Sequence, residues 1–473
     1  MDFYFTQLKR IIRNMTASIP TPARWILTAS LSLTLAATAT AQHTNSPLTV
    51  LTNMRLIDGS GAPPRDHVTL VLADGKIQKI CDNTKPCGGP TAGANADLAG
   101  KTVMPSLISA HSHLALLNAE GNFDSAQYTE ENVIKQLEQY ERYGVTTIVS
   151  LGMNKDIIFD LREKQKKGQV DGANILTVGR GIGVPNGFPP MGAGDNQLYR
   201  PKDAAEARRD VDETADHHAD LIKIWIDENH GKFPEMSDDI ARAIISEAHK
   251  RGLRVAAHVY KLEDARRIVN EGVDILAHSV RDRDVDDSFI ALLKSKGTSY
   301  LPTLTVDESF FLYADRSEFM QSDFFRDSVP AETYARLTSD AYRNKVLSDK
   351  DTQQHRQDFA IATRNLKRLY DAGVNVGFGT DSGAVLGRIP GFSEHRELLL
   401  MVNAGLTPLQ AIACATSHNA AEMHLSDRGT LKPGMSADLL VVDGDPSKNI
   451  TDTSHIAAVF HHGHRVEHIK SAK

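Results

Sequence analysis

Between residues 103 and 379 the chain alternates, eight times over, between a short apolar run and an amphipathic helical stretch. No other feature restricts its fold so tightly. The runs fall at 103–109, 146–151, 174–178, 221–226, 253–257, 273–277, 299–304 and 374–379, with helical patterns such as 238–250 and 262–271 between them. Strands alternating with helices read as βαβ units around a parallel sheet. Eight units predict an α/β fold, a (β/α)8 TIM barrel. Chemistry in such a barrel sits at the C-terminal ends of the strands.

The flanks read differently. Residues 48–103 and 431–470 are short strands and turns, with a hairpin signal at Asp74-Gly75. Segments 46–103 and 425–470 are expected to build one small composite β-sandwich beside the barrel, 104–424. Ahead of them, Lys9, Arg10, Arg13 and Arg24 precede an apolar stretch at 25–38, and Ala39-Thr40-Ala41 follows. This predicts a signal peptide over 1–41, with Met15 as an alternative start, and an exported chain, periplasmic or secreted. About 14 apolar residues fall short of the ~20 of a membrane span, so no span is expected after cleavage. In an exported chain Cys81 and Cys87 are candidates for a disulfide, the alternative being two free thiols. Cys414 sits in a helical pattern and reads as an inert core residue. Acidic residues exceed basic ones, 60 against 53, without a basic stripe, which argues against a nucleic-acid partner. A small-molecule substrate is expected. Oligomeric state is open, a homo-oligomer included.

The strand ends carry the chemistry. His111-Ser112-His113 closes the first run, and residues i and i+2 of a strand face the same way, so two imidazoles can chelate one ion. Asp381, after the eighth run, can ligate the same ion and accept a proton, or serve as a turn residue. Lys223 lies within an apolar run. Buried, it loses its charge and becomes a nucleophilic amine able to take up carbon dioxide as a carbamate; at an edge it would snorkel to solvent. His258 and His278 end successive runs and can converge on a second ion. Tyr260, Arg180 and His395 are candidate substrate contacts: Tyr260 for an oxyanion, Arg180 for a carboxylate, His395 by its place after the Asp381 loop. His461, His462 and His464 read as solvated turn chemistry. An insertion at 305–350, rich in Phe and Tyr in its first half, is either a lid over the barrel mouth or a helical hairpin packed on the barrel's helices.

The chain resembles the amidohydrolase superfamily, in the branch of imidazolonepropionase-like and Xaa-Pro dipeptidase-like enzymes. The resemblance rests on 104–113 (Met-Pro-Ser-Leu-Ile-Ser-Ala-His-Ser-His), 220–224, Ala257-His258, Ala277-His278, 379–383 (Gly-Thr-Asp-Ser-Gly), 404–408 and 434–446. It implies a barrel with a composite β-sandwich and one or two divalent ions, usually zinc. His111, His113 and Asp381 would hold one ion and His258 and His278 the other, with carboxylated Lys223 bridging. The expected reaction is cleavage of an amide C–N bond, of a peptide-like or N-acyl amino acid substrate. The nucleophile would be a hydroxide bridging the ions, with Asp381 as general base and then acid. The alternatives are a mononuclear deaminase or imidazolone-type cyclic amidine hydrolase, and a lactonase- or esterase-like activity. Deaminases of this pattern carry a glutamate where this chain has Lys261. The family also often has Gly and Asp where this chain has Ser106 and Ser109, and the residues after Lys223, through Asp227 and Glu228, depart from the dipeptidase pattern.

Overall fold

The computed structural model describes residues 48–82, 87, 94–190 and 196–466; the expected leader, 1–41, lies outside them. The described chain opens with β1 (Thr49–Leu56), β2 (Arg65–Ala73), β3 (Lys76–Asp82), β4 (Ala94–Asp97) and β5 (Lys101–Pro105). Asp74 and Gly75 both take positive φ and close the β2–β3 hairpin, with Ala73 opposite Lys76.

The barrel strands follow: β6 (Leu107–Ser112), β7 (Val145–Ser150), β8 (Asn174–Thr177), β9 (Ile222–Trp225), β10 (Val255–His258), β11 (Ile275–Ala277) and β12 (Ser299–Leu301). The helices between them are α1 (Glu130–Arg142), α2 (Ile157–Lys166), α3 (Ala204–Asp216), α4 (Asp238–Lys250), α5 (Leu262–Glu271) and α6 (Asp287–Lys296). The strands are almost wholly buried because both faces are covered. Inside, Val149, Leu221, Ala256, Ile275 and Leu301 fill the barrel; outside, helix stripes such as Leu262, Ala265, Ile268 and Val269 of α5 are buried.

Two predicted strands come out differently. The run 103–109 is two strands in two sheets. Pro105, which has no N–H to donate, ends β5 opposite Leu439; across Ser106 the chain enters the barrel with Leu107 opposite Val145. The run 374–379 keeps only isolated bridges, Tyr300 to Val376 and, beyond it, Ser112 to Ser382. Its backbone nevertheless bonds both neighbours and closes the ring. Tyr300 N donates to Asn375 O, Ala110 N to Phe378 O, and Asp381 N to His111 O. Glycine permits this approach: a Cβ on Gly379 would stand 2.7 Å from His111 Cβ. On the far side Ile182 bridges Ile224, joining the β6–β7–β8 ladder to the β9–β12 ladder.

The insertion is helical: α7 (Thr305–Glu308), α8 (Asp323–Arg326), α9 (Ala331–Thr338), α10 (Asp340–Ser348) and then the long α11 (Asp351–Asp371). Tyr313 and Phe325 pack with Phe392, the first residue of α12 (Phe392–Asn403), while Phe310 stays 37% exposed at the barrel mouth. The packed arrangement holds for most of its aromatics, and Phe310 lines the pocket. The last strands are β13 (Leu439–Asp443), β14 (Ile456–His461) and β15 (His464–Arg465). β13 inserts between β14 and β5, so the two chain ends share one eight-stranded sheet over a core that includes Met54, Leu70, Val103, Leu439 and Val441. Cys81 and Cys87 are joined by a disulfide. Cys414 is buried, and burial pushes its thiol up to about 12. No helix of the described residues is long and apolar enough to cross a membrane.

Candidate metal centre

His111 and His113 stand at the end of β6, fully or nearly fully buried, and the chain after the closing segment brings Asp381 over them. Asp381 Oδ1 lies 3.1 Å from His111 Nε2 and 2.8 Å from His113 Nε2. The first of these contacts lacks hydrogen-bond geometry, and both ring nitrogens of His111 are without a hydrogen-bond partner among the described residues. Buried polar atoms are ordinarily paired. Lone pairs converging on one point without bonding each other are what a cation site requires, and the three residues form a group whose ligand atoms lie within 4.8 Å of one another. Asp381 itself holds a left-handed φ of +57°, unusual for a non-glycine residue.

His278, His258 and Lys223, the other expected ligands, stand beside this group. The ring centroids of His111 and His278 are 4.5 Å apart, those of His278 and His258 4.4 Å. Three of the four imidazoles have one nitrogen tied down and the other left over: His113 Nδ1 to Gly152 O at 3.1 Å, His278 Nδ1 to Thr303 Oγ1 at 2.8 Å, His258 Nε2 to Asp227 Oδ2 at 3.1 Å. Such outer partners select tautomer and orientation for a ligand. Lys223, in the middle of β9, is 1% exposed; its Nζ has no hydrogen-bond partner among the described residues and lies 5.2 Å from the Trp225 ring centroid. Burial holds its ammonium form far below the ordinary range. Burial, together with the nearby Lys223, also takes His113 down to about 3, and His111 and His278 well below their usual value. Burial takes His258 to about 4 despite its Asp227 partner. All four imidazoles are neutral at pH 7 and free to donate a lone pair. The donor set fits divalent metal, and the unpartnered nitrogens of His111 and Lys223 are the observation that says so.

The pocket above these residues has a volume of about 260 Å³. Phe123, Met153, Phe188 and Trp225 form an apolar side, and Arg281, Asp307, Asp358 and Arg388 a charged one. Tyr260 lines it, as expected, but its hydroxyl donates to Asp358 Oδ1 at 3.0 Å. Two expectations fail. Arg180 pairs with Asp156 at 2.6 Å and with Glu213, stacks on Tyr199, and does not line the pocket. His395 is buried against Tyr143 O (2.8 Å) and Thr453 Oγ1 (3.1 Å), with both nitrogens occupied away from the pocket. Lys261, where a deaminase glutamate would stand, pairs with Glu228.

Several site residues escaped the sequence reading. Asp227 lies just past β9, so the strand-end rule points to it; burial opposes ionisation, yet the His258 hydrogen bond takes its carboxyl down to about 2. Arg388, 6% exposed, pairs with Asp381 Oδ2, keeps its Nε without a hydrogen-bond partner among the described residues, and is lowered by burial to about 9. Asp307, His355 and Asp358 meet at the pocket rim, the last two from α11, and nothing in their local sequence marks them. His461 is no solvated turn residue. Its side chain is 9% exposed, with Nδ1 2.5 Å from Glu141 Oε1 and Nε2 2.8 Å from Asn174 Nδ2.

The amidohydrolase family profile matches residues 102–466. The chain belongs to the amidohydrolase family. An uncharacterized protein of Mycobacterium tuberculosis is 27% identical over 401 residues, 82% of this chain and 90% of that protein. Among solved structures, a candidate prolidase from Bifidobacterium longum superposes with a TM-score of 0.70 at 25% identity, covering 89% of this chain and 95% of that one. A Xaa-Pro dipeptidase with methionine bound in its active site gives 0.68 at 22% identity, over 88% and 99%. Fold, family and the buried His/Asp cluster together make this amidohydrolase a metal-dependent hydrolase acting on a C–N bond.

Proposed function

We propose that the enzyme is exported, holds two divalent ions, zinc first among the candidates, and cleaves the amide of N-acyl amino acids or small peptide-like substrates. The observation that carries the two-ion reading is the buried, unpartnered Lys223 Nζ beside four neutral imidazoles. Its lone pair attacks the carbon of carbon dioxide, a C–N bond forms, and the displaced proton leaves to solvent. The resulting carbamate offers two oxygens. His111, His113 and Asp381 would hold one ion and His258 and His278 the other, with the Lys223 carbamate between. Ions bound there would acidify the attacking water and polarise the scissile carbonyl. Asp381 accepts the proton from water and returns it to the leaving nitrogen. The apolar side of the pocket excludes bulk water and receives the acyl portion. Arg388, with its free Nε, takes the carboxylate-binding role first expected of Arg180. The Cys81–Cys87 disulfide supports export, since such bonds persist in oxidising compartments.

The test is metal analysis of the purified protein and of Lys223→Ala, with hydrolysis assays over N-acyl amino acids, dipeptides, lactones and cyclic amidines. Two equivalents of metal are expected, one of them lost with activity in the variant. Full activity in Lys223→Ala removes the two-ion reading. Turnover of cyclic amidines without any acyclic amide turns the assignment to a ring hydrolase.

A further inference from the structure

Glu394, on α12, is completely buried, and it is paired with no cation among the described residues. Burial opposes its charge, and an unpaired buried carboxylate is costly unless hydrogen bonds compensate. The compensation here has a direction. Oε1 accepts from Thr380 Oγ1 at 2.6 Å, Ser382 Oγ at 2.7 Å and Ser109 Oγ at 3.1 Å; Oε2 accepts from Gly391 N at 2.8 Å. Thr380 and Ser382 are the two residues flanking Asp381. Ser109 lies on β6, two residues before His111.

We infer that Glu394 is a positioning residue that clamps Asp381 over the β6 histidines. Asp381 sits at a positive φ, a conformation persisting only where its surroundings over-determine it. One carboxylate oxygen grips both of its neighbours and ties them to the strand that carries His111 and His113. Ser382 is braced further by Tyr140 OH at 2.6 Å, and Ser109 by Ser112 Oγ at 2.9 Å. Glu394 touches neither pocket nor substrate. Its effect reaches the reaction only through the placement of Asp381 Oδ1 against the two Nε2 atoms. It also gives Ser109 of β6 a function, as a donor to the α12 carboxylate.

This inference rests on the proposed role of Asp381, and the two fail separately. In Glu394→Gln the amide oxygen can still take the hydroxyls, but its NH2 group faces the Gly391 N–H. Expected are a fall in kcat of about tenfold or more with KM within about twofold, and zinc affinity, by competition with a chromophoric chelator, weaker by about tenfold. Should that variant not fold, Thr380→Val combined with Ser382→Ala removes two of the clamp's donors and is read by the same measurements. A variant that lowers only the melting temperature, with kcat per folded molecule and zinc affinity at wild-type values, overturns the clamp. If Asp381→Asn is inactive in that case, the proposed function survives; if Asp381→Asn stays active, it is the function that falls.

Discussion

Two of the places where the described chain gathers histidine beside carboxylate are built on opposite principles. In the barrel mouth, His111 and Lys223 are buried with nitrogens that have no hydrogen-bond partner among the described residues, and His113, His278 and His258 stand with them, each with one nitrogen tied to an outer partner. At the edge of the terminal sheet, Asp438, His461 and His462 also come within ligand distance of one another. There, however, His461 has Glu141 on one nitrogen and Asn174 on the other, and His462 N donates to Asp438 Oδ1 at 2.8 Å. The first cluster leaves ring and amine nitrogens without a partner; in the second the ring nitrogens of His461 and His462 are engaged, and the one buried atom left without a hydrogen bond, Asp438 Oδ2, faces the Arg428 guanidinium at 3.6 Å. Residue type and proximity do not separate them. Nitrogens left without a partner do.

The largest effect should come from removing the carboxylate at the centre of the first cluster. Asp381→Asn retains shape but neither charge nor basicity, and kcat should fall by about 10²–10⁴. His461→Ala should leave kcat within about twofold. Steady-state kinetics on a hydrolysed amide decides it; comparable losses in both variants would erase the contrast.

Next in size is an acid limb of stability to which a third kind of histidine contributes. His395 is buried with both nitrogens satisfied, and burial lowers it from 6.5 to about 4. The unfolded chain therefore takes up a proton that the folded one refuses. This contribution is complete above pH 6.5 and is lost as pH falls from 6.5 toward 4, roughly 3 kcal/mol in all. In His395→Gln the proton uptake on unfolding across that window should drop by about one, read from the slope of unfolding free energy against pH. An unchanged slope would mean His395 does not stay neutral in the fold.

A smaller change is expected from the partner that orients His258. Asp227→Asn keeps an acceptor oxygen but loses the charge, and metal should bind about 10–100-fold more weakly with little change in apo stability. Equilibrium dialysis against zinc measures this. The same substitution logic at Asp438 should leave zinc binding unaffected.

The sequence exposed these elements unevenly, for physical reasons. His111, His113, His258 and His278 were legible because strand runs have a sharp C-terminal end and a barrel turns every such end to one face; Lys223 was legible as a charge inside an apolar run. Asp381 was legible by the same rule, although its own strand is reduced to isolated bridges. Arg180 obeyed the rule and misled: its partners, Asp156 and Glu213, come from the turn before α2 and from α3, and pairing between loop and helix leaves no periodic trace. His395 and Glu394 are neighbours on α12, yet their roles depend on which way the helix is rotated, set by contacts with Tyr143 and Thr380 that are far off in sequence or across a turn. The division of the 103–109 run followed from Pro105, a breaker visible in the sequence whose meaning appeared only once β13 was seen to pair with β5.

The smallest expected effect tests the comparison most directly, because the two regions should respond with opposite sign. In metal-free protein the buried Lys223 amine satisfies no hydrogen bond, so Lys223→Met exchanges a stranded polar group for an apolar one of similar length. Urea unfolding of the apoprotein should show a gain of about 1–2 kcal/mol, alongside the loss of activity. His461→Ala strands the Glu141 carboxylate and the Asn174 amide in a part-buried setting, and should cost about 1–2 kcal/mol with activity retained. Gain with loss of function in the barrel, and loss with function kept in the sheet, is the pattern of one site built to wait for an ion and another already closed. Destabilisation by both substitutions would show that Lys223 has found a partner in the apoprotein, and the case for an ion there would have to rest on His111 alone.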